Sequence, residues 1–218
     1  VHEIRNPLTS LKSATEILYE TENLEQRNKL VNILNHDVQR IERLITDYSQ
    51  MLKDEVALSK EKMKKINLKL IVGSVVDDFN SIYEAKRGIQ IILKDRSSQE
   101  EFFINGIENR IEQIIANLLD NSISFSDDNK RILVEVSKDE REKIILKVTD
   151  EGKGFKETST KKIFDRFYSN RPDNFGEHSG LGLNIVKNLV DLHGATINAS
   201  NNIKQKGANV EIIFPKTQ

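Results

Sequence analysis

Two apolar stripes near the start of the chain restrict its fold more than any other feature. Val1, Ile4, Leu8, Leu11, Thr15 and Leu18 recur at alternating intervals of three and four, and Val31, Leu34, Val38, Ile41, Ile45, Tyr48 and Leu52 repeat the rhythm. That period keeps one seam of an α-helix apolar and the rest of its circumference polar. Between the stripes, residues 19–26 are polar and carry no rhythm. The spacing therefore predicts two helices folded as an antiparallel hairpin, the second over roughly 25–54. Such a hairpin cannot enclose both seams by itself, because each helix has a single neighbour. A twofold partner completing a four-helix bundle is the economical remedy; the alternative is packing on the remainder of the chain.

On the first helix the stripe leaves His2, Glu3 and Asn6 at its rim or outside it. His2 and Asn6 stand one turn apart on one face, with Glu3 beside the imidazole. This is a small reactive cluster on a rigid support, and equally what a polar helix start looks like. The chain begins with valine and its candidate histidine is second, so a further N-terminal portion is expected, and membrane attachment only through that portion.

With a formal net charge of −1, the chain lacks the basic excess of a nucleic-acid-binding surface. Having no cysteine, it excludes disulfides, thiolate metal sites and cysteine nucleophiles. Its apolar runs fall well short of the roughly 18 residues that cross a bilayer, and a cytoplasmic location is expected for the part given.

The stretch 53–65 is dense in Lys and Glu and reads as a hinge or frayed helix end. The pattern beyond it predicts a helix over 68–86, strands over 89–93 and 102–104, and a helix over 107–125. A strand pair over 132–137 and 143–149, a helix over 181–192 ending at Gly194, and strands over 195–200 and 208–214 complete the reading. The expected fold is an all-α hairpin (residues 1–62) followed by an α+β sandwich (66–218) whose mixed, mostly antiparallel sheet carries helices on one face.

Three features of the second part bear on chemistry. Asn117 and Asn121 are two amides four apart on one helical face; amide oxygens can ligate a hard cation such as Mg²⁺, though such a pair also decorates ordinary helix surfaces. Asp150, Gly152 and Gly154 follow a strand. A carboxylate there can accept a hydrogen bond from an exocyclic amine, and glycines let backbone approach a ligand, but a plain turn has the same composition. Gly180, Leu181, Gly182 and Leu183 open a helix, where free N–H groups favour phosphate or where glycines merely pack closely. Their occurrence in order within one domain is harder to explain blandly.

Together these stretches resemble the catalytic core of the bacterial sensor histidine kinases. His2-Glu3-Ile4-Arg5-Asn6-Pro7-Leu8 resembles the phosphoacceptor motif, 117–121 the asparagine motif, 150–154 and 180–183 the two glycine motifs, and Ile163-Phe164-Asp165-Arg166-Phe167-Tyr168 the phenylalanine motif. The resemblance implies a dimeric helical hairpin, an ATP-binding sandwich of the gyrase and Hsp90 type, and phosphoryl transfer from His2 to an aspartate of a response-regulator receiver. It implies Glu3 as general base for His2, Asn6 as the group positioning water in a phosphatase reaction, and Asn121, with Asn117, for Mg²⁺ and phosphates. Asp150 is then expected on the adenine amino group, and Phe164, Arg166, Phe167 and Tyr168 around the nucleotide loop. Ser124 stands where many relatives have Lys or Arg, and His178-Ser179 precede the second glycine motif where a Gly-Thr or Gly-Ser pair is more usual; weaker nucleotide affinity is expected. The alternatives are a phosphotransfer scaffold or phosphatase with an impaired kinase, and an ATP hydrolase of the same sandwich fold. Position 117 disfavours the hydrolase, because the carboxylate that activates water in those enzymes is here an amide.

Overall fold

The structure, a computed structural model of the chain, describes residues 2–58, 61–94, 99–156, 160–165, 181–202 and 206–217, and of residues 2–4, 40, 43, 47, 48, 50–58, 160 and 161 the backbone alone. Two compact units divide it, one built on Val1–Lys60 and the other on Glu61–Phe175 and Gly182–Gln218.

The first unit is a hairpin of α1 (His2–Glu20) and α2 (Leu24–Leu58). Its connection is shorter than the polar stretch 19–26 predicts, because Tyr19 and Glu20 remain helical. Asn23 explains the abrupt restart: its Oδ1 accepts the Gln26 N–H at 3.1 Å, an N-cap for α2. Arg27 Nη1 in turn donates to the carbonyls of Leu18 and Thr21, at 3.2 and 3.0 Å, where α1 runs out of partners.

The inward seams are displaced from the predicted ones. On α1 Pro7 and Ala14 are buried and Leu11 and Leu18 half-buried, while Leu8 and Thr15 face water. On α2 the inward line is Leu30, Leu34, Asp37, Ile41 and Leu44, and Val31, Val38 and Ile45 remain 41, 44 and 54 % exposed. The side chains of Val1, Ile4, Tyr48 and Leu52 lie outside the described residues. Two apolar stripes run side by side on α2; the sequence spacing merges them, whereas packing on α1 uses only one.

The second unit follows the order β1 (Lys64–Asn67), α3 (Leu68–Arg87), β2 (Gln90–Leu93), β3 (Phe103–Gly106), α4 (Glu108–Phe125), β4 (Arg131–Lys138), β5 (Ile144–Asp150), a 3-10 turn (Thr160–Phe164), α5 (Gly182–Leu192), β6 (Thr196–Asn201) and β7 (Ala208–Phe214). Five strands form one sheet in the order β2-β4-β5-β7-β6. The β2–β4 pair is parallel and the other three pairs are antiparallel, the mixed, mostly antiparallel sheet that the pattern predicts. Alternation selects one face: Ile132 and Val134 on β4, Leu146 and Val148 on β5, and Val210 and Ile212 on β7 are buried, and so are Ile111, Ile114, Ile115, Leu118 and Leu119 along α4. A separate antiparallel ribbon joins β1 to β3. Lys64 and Lys65 belong to it, and not to a hinge, because strand pairing uses only the backbone and leaves both ammonium groups in water; Lys65 Nζ lies 4.7 Å from the Phe103 ring centre.

Candidate nucleotide site

The buried isoleucines and leucines of α4 set Asn117 and Asn121 on its half-buried flank. Asn117 Nδ2 donates to the Gln113 carbonyl at 2.8 Å, which fixes the amide. Its Oδ1 then lies against the first residue of α5: a Cβ on Gly182 would sit 3.3 Å from it. Glycine at 182 thus lets the asparagine motif and the second glycine motif meet. The N–H groups of the first turn of α5, Leu183 included, have no acceptor within the helix and favour an anion. Leu181 immediately precedes that turn; Gly180 lies outside the described residues.

Asp150 ends β5 and is buried. Its Oδ1 accepts the N–H groups of Gly152 at 2.9 Å and of Ala208 at 3.0 Å, so its other oxygen keeps acceptor capacity for a ligand. Burial pushes the carboxyl above the usual range, and the two backbone donors offset part of that. Close packing behind it requires Gly207, where a Cβ would come 1.9 Å from the Asp150 carbonyl oxygen. The loop beyond, through Gly154, is clasped by Asn201: the Phe155 N–H donates to its Oδ1 at 2.6 Å, and its Nδ2 donates to the Phe155 carbonyl at 2.9 Å.

Residues 106–218, more than half of the chain, match the family described as histidine kinase-, DNA gyrase B-, and HSP90-like ATPase. The chain belongs to that ATPase family. Residues 1–64 match the His Kinase A (phospho-acceptor) domain, so the two units together are a sensor histidine kinase core. Sensor protein ChvG of Rhizobium meliloti is 37% identical over 206 residues, covering 92% of this chain and 36% of ChvG. ChvG of Agrobacterium fabrum is 35% identical over 212 residues, covering 94% and 35%. The chain thus spans about a third of the length of these relatives. Histidine kinase ThkA, solved in complex with response regulator protein TrrA, shares the fold at a TM-score of 0.69 and 24% identity, over 99% of this chain and 59% of that one.

Within this kinase core, Phe164 ends the 3-10 turn and its carbonyl accepts Asn184 Nδ2 from α5 at 2.9 Å. Arg166, Phe167 and Tyr168 lie outside the described residues, as do Gly176 and His178. Ser124 is buried and its hydroxyl donates to the Asp120 carbonyl at 2.7 Å, so it faces its own helix and not a phosphate. On the hairpin, His2 and Glu3 open α1, where their backbone alone is described, and Asn6 is exposed one turn further.

Several supporting residues escape a reading of the sequence. Asn184 and Asn201 act on backbone carbonyls 20 and 46 positions away, and Ala208 gives its own N–H to a side-chain oxygen 58 positions away. His193, next to the helix-ending Gly194, is buried with both ring nitrogens engaged: Nδ1 with the Leu189 carbonyl at 2.7 Å, Nε2 with the Ile107 N–H at 3.1 Å. Gly207 alone left a signal, a glycine directly before an alternating strand.

Proposed function

We propose that this chain phosphorylates His2 from ATP and passes the phosphoryl group to an aspartate of a response-regulator receiver domain. The observation that carries the reading is the meeting of Asn117 with the start of α5 at Gly182, in the unit that also presents a half-engaged Asp150. An amide flank, a helix N-terminus and a carboxylate acceptor match a phosphate chain at one end and an adenine amino group at the other. Guanine, with a carbonyl in place of that amine, would face the carboxylate oxygen unfavourably, so ATP is preferred over GTP.

In the reaction an unprotonated imidazole nitrogen of His2 attacks the γ-phosphorus, the bond to the bridging oxygen breaks, and ADP leaves. The proton of the other ring nitrogen passes to Glu3. A Mg²⁺ would arrive with the phosphates and take Asn121 as its protein ligand. When bound, it neutralises charge on the phosphate oxygens. The arrangement disfavours water as acceptor, since Asn117 cannot remove a proton.

Residues 1–62 serve as the dimerisation and phosphoacceptor domain and 66–218 as the ATP-binding domain. The exposed Val31, Val38 and Ile45 of α2 support a homodimer. The exposed Asn6 supports a coexisting phosphatase activity on the phosphorylated receiver. No helix among the described residues is long and apolar enough to cross a membrane; we place the parent protein in the bacterial inner membrane with this part facing the cytoplasm.

Incubation with γ-labelled ATP and Mg²⁺ tests the reading. Acid-labile label on the wild-type chain, absent from His2→Gln and slowed in Glu3→Gln with ATP binding kept, is the expected result. Release of free phosphate without protein label would make it a hydrolase.

A further inference from the structure

We propose that Glu61 and Arg110 form a positioning pair that fixes where the chain leaving α2 joins the nucleotide-holding helix, and so sets the rate of transfer to His2 without touching the nucleotide. The inference rests on the autophosphorylation proposed above.

Arg110 is only 8 % exposed. Its guanidinium grips both carboxylate oxygens of Glu61, Nε to Oε2 at 3.3 Å and Nη2 to Oε1 at 3.2 Å, while Nη1 donates to Gln113 Oε1 at 3.2 Å. A planar fork on a carboxylate fixes direction as well as distance, which a single ammonium would not. Burying such a pair adds little to stability compared with apolar side chains of similar volume, so its presence here points to placement.

The place is what matters. Helix α2 ends at Leu58, and Glu61 is three positions later. The next tie is the pairing of Lys64 with Gly106 in the β1–β3 ribbon. Among the described residues beyond Leu58, loss of the ion pair moves the first tie from 61 to 64, a difference of up to about 10 Å of extended chain. The other end of the pair is equally telling. Arg110 lies in the first turn of α4, and Gln113 and Asn117 follow at helical spacing on the same face, with Asn117 bonded to the Gln113 carbonyl. Anchor and phosphate-side amide are therefore parts of one rigid helix, about 10 Å apart along its axis. A longer unfixed tether lowers the effective concentration of bound nucleotide at the histidine and loosens its orientation, while leaving the pocket as it was.

The test compares wild type with Glu61→Gln and with the exchanged pair Glu61→Arg/Arg110→Glu. It measures the single-turnover rate of His2 labelling at saturating ATP, the ADP affinity and the melting temperature of each protein. Glu61→Gln should be labelled about five-fold more slowly with ADP affinity within about two-fold of wild type, and the exchange should restore the rate. Labelling of Glu61→Gln at the wild-type rate overturns the inference, and so does a slower rate matched by an equal loss of ADP affinity. Should the exchanged pair not fold, Glu61→Asp replaces it, with a rate between wild type and Glu61→Gln expected; a rate no better than that of Glu61→Gln overturns the proposal. No label on the wild-type chain would overturn the function itself and this inference with it, whereas equal labelling of wild type and Glu61→Gln overturns the inference alone.

Discussion

Burial raises the Asp150 carboxyl above its usual range, and the donors on its Oδ1 draw it only part of the way back. The folded state therefore takes up that proton more readily than the unfolded chain, so at neutral pH the ionised carboxylate costs stability. That cost is relieved as pH falls through the raised value toward the ordinary 3.8. Asp150→Asn keeps an oxygen for the Gly152 and Ala208 donors and removes the charge. Its melting temperature at pH 7 should equal or exceed wild type, while calorimetric ATP affinity falls by about a hundred-fold or more, because an amide nitrogen would face the adenine amine. His193 has the opposite sign. Desolvation holds its imidazole below the ordinary 6.5, so both states are neutral above that value, and as pH falls below it the unfolded chain gains a proton that the folded one resists. Stability should drop over that window, and His193→Gln should flatten the drop in melting temperature between wild type at pH 7 and pH 5.5. Asp150 was legible in the sequence because a carboxylate at a strand end followed by two glycines is a local signal. His193 was not, because its acceptor role depends on Ile107, 86 positions earlier.

Elements of the second unit were readable wherever one apolar face repeats, as along α4 or in the alternation of β7. Two elements defeated that logic for different reasons. β1 hides because its Lys64 and Lys65 pair through backbone while their side chains stay wet, and on α2 the spacing does not separate Leu34 and Ile41, which face inward, from Val31, Val38 and Ile45, which stay exposed. The junction between β5 and β7 carries the strongest constraint between elements. Gly207 has φ of 139° and its hydrogens point at the Asp150 carbonyl, so Gly207→Ala combines backbone strain with a clash that only strand displacement relieves. We expect a loss of about 2 to 4 kcal/mol in urea denaturation, with nucleotide binding reduced in whatever fraction remains folded.

The proposed transfer to His2 requires the helical hairpin and the sandwich to act together, and the hairpin carries apolar surface that α1 does not cover. Placing charge there, as Val38→Glu with Ile45→Glu, should convert the sedimentation profile from dimer to monomer while helicity by circular dichroism persists. A dimer mass unchanged by the substitutions would move the proposed contact to another surface, and a monomeric wild type would overturn the proposed dimer. Among the described residues, β6 turns the exposed Thr196, Asn198 and Ser200 to the face opposite the one that carries Asp150 and packs on α4. Since the chain contains no cysteine, a single thiol introduced at Thr196 would be the sole attachment point for a dye, and a fluorophore riding on that face could follow the enzyme through its cycle as a spectator.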